Sequence, residues 1–282
     1  MTPASAHDGE ITRPTRLPDR PLVGMVHLAP LPGSPASRLT QRQIIAQATA
    51  DARVLSEAGF DAILIENFGD APFRATRVDP HTVAVMTVVA RAVREATELP
   101  IGINVLRNDP MAALAVAICC EAAFIRVNVH TGVYATDQGI IEGRADETLR
   151  YRKRIGADVA IFADVHVKHA HPLSSSDIAE AAAEAAYRGR ADGLIVSGSA
   201  TGKPTNLEDL RKVRAAVPDR PVLVGSGATA ETIRDILACG CGAIVGTSIK
   251  ENGSTTAPVD RERARAFLAA GGRQDASGRD GS

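Results

Sequence analysis

Eight times along this chain a short apolar run gives way to a longer stretch of helical periodicity, and that alternation limits the fold more than any other feature. The runs are Leu22–His27, Ala62–Glu66, Ile101–Val105, Phe124–Val129, Val159–His166, Gly193–Ser197, Val222–Val224 and Ala243–Val245. Helical patterns follow them near 40–58, 80–98, 110–121, 145–156, 177–189, 206–217, 229–239 and 258–270. Strand and helix in strict alternation predict an α/β fold with a parallel sheet, and eight units predict a single (β/α)8 TIM barrel over residues 21–270. An open doubly wound sheet is the alternative, because alternation alone does not close a barrel. Residues 1–20, rich in Pro, Arg, Asp and Thr, read as a flexible arm, and the Gly-, Ser- and Asp-containing stretch 271–282 as a disordered tail.

Local signals mark several helix ends. Asp79-Pro80 and Asp109-Pro110 set a capping carboxylate before a proline at the first helical position, where its missing N–H leaves nothing unsatisfied. Asp177 and Asn206 are further caps, and Gly59, Gly189 and Gly240 stand where helices should stop.

Composition removes several function classes. The formal net charge is −1 over 282 residues, so no basic footprint predicts nucleic acid or an anionic membrane as partner. With Trp absent and aromatics at 3%, platforms for stacking bases are sparse. No apolar run reaches membrane-spanning length and the first residues lack the build of a signal peptide, so a cytoplasmic protein without membrane insertion is expected. Cys119, Cys120, Cys239 and Cys241 fall in apolar patterns and read as reduced thiols, with metal binding by Cys239-Gly240-Cys241 as the lesser alternative.

The last two strands end alike. Val222–Val224 opens onto Gly225, Ser226 and Gly227, and Ala243–Val245 onto Gly246, Thr247 and Ser248. In such barrels the loops after the seventh and eighth strands often hold a phosphate: glycines admit the oxyanion, backbone N–H groups and hydroxyls bind it. Lys250 is placed to add charge there. Tight turns at the rim would need the same small residues, but two such loops in the right order favour a small anionic ligand.

The other strand ends carry chemistry in unusual density. Glu66 closes the second strand and Asn104 the third; period two in "FIRVNVH" puts Arg126, Asn128 and His130 on one face, and in "FADVHVKH" Asp164, His166 and Lys168. The sixth strand ends in Ser197, followed by Ser199. A structural ion pair between Arg126 and Asp164 would explain two of these residues, not all. Glu66, Asp164, His166 and Lys168 are therefore the candidate catalytic set, and Asn104, Arg126, Asn128, His130, Ser197 and Ser199 the candidate ligand-binding set. No cofactor is required by any motif; a divalent metal held by His166, Asp164, Glu66 and His130 or His27 is an alternative on a weak, short pattern. "HTGVYATDQGIIEGRADE" is too long for a minimal turn and reads as a lid or an ordered surface loop, and the Pro-rich "HLAPLPGSP" as a stiff wall. The apolar helix around Val83–Val93 is expected to pack on the barrel, with a homo-oligomer face as the alternative.

Eight blocks in order, "VGMVHLAPLPGSP", "DAILIENFGDAPF", "GINVLRND", "RVNVHTGVYATDQGIIEG", "DVHVKHAHPL", "DGLIVSGSATG", "VLVGSGAT" and "AIVGTSIK", resemble the BtpA/SgcQ family from about Leu22 to Asp260. The resemblance implies a phosphate-binding type of TIM barrel. One branch of that family is linked with photosystem I biogenesis in cyanobacteria and another is described as nucleosidases. It brings no assigned catalytic residues, so the candidates above rest on strand ends alone. Three functions follow as expectations: nucleosidase-like hydrolysis of a small phosphorylated or ribosyl-containing metabolite, a non-catalytic assembly factor of the BtpA type that keeps an anion pocket, and a sugar-phosphate isomerase or aldolase.

Overall fold

Helix boundaries fall where side chains satisfy the exposed backbone. In a computed structural model, which describes residues 17–173, 177–198 and 205–273, α1 (Gln41–Ala58) begins in a capping box of Thr40 and Gln43 and ends at Gly59, whose φ of 100° only glycine adopts readily. Asp109 accepts the Ala112 amide to start α3 (Pro110–Cys119). Asp177, Asn206 and Asp260 do the same for α5 (Ile178–Ala183), α6 (Leu207–Ala216) and α8 (Arg261–Ala270). Asp79 departs from the expected cap: α2 (Pro80–Ala96) starts there, but its carboxylate binds Arg74 instead of the helix. Gly189 departs too. Its φ is −72°, and it closes a π-helical turn, Glu184–Arg188, that prolongs α5; a Cβ there would lie 2.6 Å from Thr131 Cγ2. α4 (Ala145–Arg154) and α7 (Ile233–Ala238) complete the helices, α7 starting late because Thr229 and Thr232 first close a turn of their own.

The strands β1 (Leu22–His27), β2 (Ala62–Glu66), β3 (Ile101–Asn104), β4 (Phe124–Val127), β7 (Ala160–Val165), β9 (Gly193–Val196), β10 (Val222–Val224) and β11 (Gly242–Val245) close a parallel barrel in the order β1-β11-β10-β9-β7-β4-β3-β2. The open-sheet alternative is excluded. One apolar cluster lies between strands and helices and a second fills the barrel. At the floor of the second, Phe124 and Phe162 meet edge to face with centroids 5.4 Å apart. Gly102 and Gly193 lie against those rings, each leaving no room for a Cβ, which would come within 2.3 Å of Phe124 and Phe162 respectively. Large residues on two strands thus require small ones on their neighbours.

The segment after β4, read as a lid or an ordered surface loop, is ordered and carries strands of its own. β5 (Val133–Thr136) and β6 (Gly139–Glu142) form an antiparallel hairpin across Asp137 and Gln138, and β8 (Ala170–Pro172), which follows β7, pairs with β5. Tyr134 and Ile141 pack beneath it on Val129 and Val167. Val83–Val93 packs as expected through Met86, Val89, Ala90 and Val93. No helix among the described residues is long and apolar enough to cross a membrane. The arm predicted over 1–20 and the tail over 271–282 fall outside the described residues, except for 17–20 and 271–273.

Candidate active site at the barrel mouth

Side chains alternate along a strand, so the apolar floor fixes what stands above it. Two residues beyond Met25, Leu64, Gly102, Phe124, Phe162 and Ile244 come His27, Glu66, Asn104, Arg126, Asp164 and Gly246, which form the polar upper layer of the barrel. Arg126 and Asp164 are 3% and 0% exposed and make a two-pronged ion pair, Nε to Oδ1 and Nη2 to Oδ2, both 3.0 Å. Asn128 donates to the same Oδ2 at 2.9 Å, and Asn104 donates to Asn128 Oδ1 and the Arg126 carbonyl, each at 3.1 Å. Asp164 is therefore committed three times over as a counter-ion. A buried pair of this kind is expensive to assemble and worse to break, because the survivor stays charged in a dry site.

Above this layer lies a cavity of about 190 Å³, lined by His27, Glu66, Phe68, Lys168, the Gly225–Thr229 loop and the Gly246–Ser248 loop, with Arg126 at its base. A ~150 Å³ cavity takes a benzene-sized guest, so this one suits a compact ligand. Burial lowers the His27 pKa to about 3, with Lys250 adding to the effect, so the ring is neutral at physiological pH. Its Nδ1 is 3.1 Å from the Thr255 carbonyl, an acceptor, which assigns the proton to Nδ1 and leaves Nε2 a lone pair. That lone pair faces Glu66 Oε1 at 3.8 Å. Burial pushes Glu66 upward, against the opposing pull of Arg126 and Lys168. Burial also lowers Lys168, with Arg126 second. A carboxyl inclined to keep its proton, a neutral imidazole and a lysine inclined to lose its charge thus share one pocket.

The two glycine loops form the opposite wall. A Cβ on Gly225 would lie 2.4 Å from Ile195 Cγ2, one on Gly246 would lie 2.8 Å from His27 Cε1, and Gly227 holds a φ of +76°. Ser248 Oγ donates to the Ala228 carbonyl at 2.9 Å and ties the loops together, while Thr247 Oγ1 meets Thr255 Oγ1 at 2.9 Å. The hydroxyls of Ser197 and Ser226 are buried with no hydrogen-bond partner among the described residues. Nor do the amides of Gly227, Ala228, Thr247 and Ser248 engage any described carbonyl. A loop wall rich in unengaged donors is built to receive acceptor oxygens.

The structure thus brings Glu66, Lys168, Arg126, Gly225, Ser226, Gly227, Gly246, Thr247 and Ser248 around one cavity, with Asn104, Asn128 and Asp164 supporting it from below. It separates others. His130 turns to the Gly189 carbonyl, 2.8 Å away, because β4 ends at Val127 and its alternation ends with it. His166, with φ +51°, leaves the strand and does not line the cavity. Ser199 lies outside the described residues. Lys250 does not point at the loops; it is 1% exposed and its Nζ binds Asp51 of α1 at 2.8 Å. Among the described residues no three His, Cys, Asp or Glu side chains are placed to share a metal ion. Cys239 and Cys241 are free thiols. Phe68 and Thr255 enter the site without a local signal, although Phe68 follows Glu66 by two residues and its ring centroid lies 4.8 Å from that of His27.

The sequence profile of the BtpA family matches residues 18–272. The Photosystem I biogenesis protein BtpA of Synechocystis is 47% identical over 250 residues, covering 89% of this chain and 87% of that protein. The sgc region protein SgcQ of Escherichia coli K12 is 32% identical over 253 residues, covering 89% and 93%. Among solved structures, thiamine phosphate pyrophosphorylase from Pyrococcus furiosus superposes with a TM-score of 0.57 at 17% identity, covering 90% of this chain and 96% of that one, a likeness of fold.

Proposed function

The chain belongs to the BtpA family, and from the geometry of its barrel mouth we propose that it is an enzyme acting by proton transfer on a small phosphorylated sugar. The observation that carries this reading is the enclosure of Glu66, His27 and Lys168 by the Gly225–Thr229 and Gly246–Ser248 loops in one compact cavity. The loops take the phosphate through amides and hydroxyls. The solved structure named for thiamine phosphate shares the fold and supports a phosphorylated ligand by analogy.

Distances order the possible reactions. Hydrolysis with inversion sets its two groups ~6.5–9.5 Å apart to fit a water between them and the sugar. His27 Nε2 and Glu66 Oε1 are 3.8 Å apart, on one side of the pocket. The second carboxylate such hydrolysis would use, Asp164, is engaged by Arg126 and Asn128. A close acid and base suit neighbouring atoms of one molecule. Glu66 in its ionised form takes the proton from a carbon next to the carbonyl, Lys168 gives a proton to the carbonyl oxygen, and the transfers then reverse one carbon along, with the neutral His27 ring holding the Glu66 carboxyl in place. The Lys168 ammonium offsets the charge that develops on oxygen. Isomerisation of this kind therefore ranks ahead of nucleosidase-type hydrolysis, for which Glu66 alone would serve as acid.

The test is thermal unfolding and turnover with inorganic phosphate, ribose 5-phosphate, nucleosides and nucleotides. A phosphorylated sugar at about 100 times its Kd adds ~2.7 kcal/mol of apparent stability, and solvent deuterium enters the carbon beside its carbonyl. Glu66→Gln keeps the binding and loses the exchange. Binding without exchange or cleavage in the native protein would favour an assembly role of the kind the Synechocystis relative's name states; the absence of any binding would refute the proposal.

A further inference from the structure

One cation at the mouth has no part in the chemistry above. Arg107 lies three residues past the end of β3, is 6% exposed, and its Nη2 donates to the carbonyl of the cavity-lining Lys168 at 2.7 Å, although Arg107 does not itself line the cavity. A guanidinium has five N–H donors. No other guanidinium hydrogen bond joins Arg107 to a described residue, and it forms no ion pair with a described carboxylate. Its neighbour Arg126 is fully matched by Asp164. Lys168 likewise has no ion pair with a described carboxylate. Arg107 and Lys168 therefore bring two cations together beside the cavity, at the end of β3 and in the β7–β8 connection, with no ion pair to a described carboxylate.

Burying a guanidinium without an anion is unfavourable unless something arrives to meet it. Burial does lower the Arg107 pKa, and the groups whose charge it feels most are Asp164, then Asp137 at the hairpin tip. An arginine presents a planar fork that fits a carboxylate edge to edge. We propose that Arg107, beside Lys168, is a second anion subsite that takes a carboxylate at the end of the ligand opposite its phosphate, so that the substrate class is a phosphorylated sugar acid. The inference rests on the phosphate reading and refines it.

Calorimetric titration of the full chain with a matched pair tests it. The probes are 5-phosphoribonate and ribitol 5-phosphate, of equal carbon number and differing at the far end in carboxylate against alcohol, with inorganic phosphate as reference. The native protein is expected to prefer 5-phosphoribonate by about tenfold or more, the worth of a charge-assisted hydrogen-bonded pair. Arg107→Met abolishes that preference while leaving the affinity for inorganic phosphate in place. A variant in which the Arg107 clamp on Lys168 was merely structural would lose all three ligands together, which overturns the subsite. Arg107→Lys, which keeps charge but not the fork, serves if the methionine variant does not fold; it must lower the preference without touching phosphate binding. Equal affinity of the native protein for both sugar compounds overturns the subsite and leaves the phosphate site standing. Binding of none of the three removes both.

Discussion

Replacing Lys250 by Met should unfold this protein far more readily than it should disturb its ligand. Lys250 is 1% exposed, its Nζ is 2.8 Å from Asp51 Oδ2, and Asp51 Oδ1 receives the Val259 amide at 2.8 Å. The pair fastens the segment after β11 to α1. Lys250→Met keeps the length of the side chain but leaves the Asp51 carboxylate in a dry site facing carbon. Breaking one half of such a pair costs about 3–5 kcal/mol. For a domain of this size each kcal/mol moves Tm by about 2–4 °C, so a fall on the order of 6–20 °C is expected. Asp51→Asn should be of similar severity, since it keeps an oxygen for the Val259 amide but strands the ammonium. The double variant Lys250→Met/Asp51→Asn removes both charges and should recover much of the loss. Urea unfolding of all four proteins closes the cycle. Additivity of the two single effects within ~0.5 kcal/mol would show that the charges are not coupled and refute the reasoning. So would a Lys250→Met protein of native stability that no longer binds inorganic phosphate, which would restore Lys250 to the anion loops.

Three further outcomes follow from the site. His27 has a folded-state pKa of about 3 against 6.5 when unfolded, so the unfolded chain binds the extra proton and stability falls as pH drops from about 6.5 toward 3; the loss is on the order of 5 kcal/mol at 1.36 kcal/mol per unit, and His27→Gln should flatten that limb in pH-resolved urea melts. Glu66 is shifted the other way, so its share of stability falls as pH rises above the ordinary carboxylate range; Glu66→Gln should melt no lower than the native protein at neutral pH while turnover is lost. Gly227→Ala forces a side chain into φ +76°; it should cost about 1–2 kcal/mol and weaken phosphate binding, and a variant with native affinity would show that the loop does not hold the anion.

The barrel was legible because its signals are local. An apolar run, a capping residue and a helical period each lie within a few neighbours, and the inward register of His27, Glu66, Asn104, Arg126 and Asp164 follows from counting by two along one strand. What was not legible depends on partners far along the chain. β5 pairs with β8 some 35 residues later, and a segment that reads as a loop becomes a sheet only when both are present. The alternation that placed His130 and His166 at the mouth fails because β4 and β7 end before reaching them. Lys250 resembled a phosphate ligand by position, but its true neighbour is 199 residues away. Asp164 and Glu66 are both carboxylates at strand ends; only the arrival of Arg126 and Asn128 at one of them makes them different.

The pair of phenylalanines across the barrel floor has a consequence for traffic. With Phe124 and Phe162 in edge contact and no side chains on Gly102 or Gly193 to prise them apart, the interior is stoppered from below. The site is a cul-de-sac: whatever enters must leave by the same door, past the same glycine loops. Two ligands cannot pass one another there, so one has to leave before the next can enter.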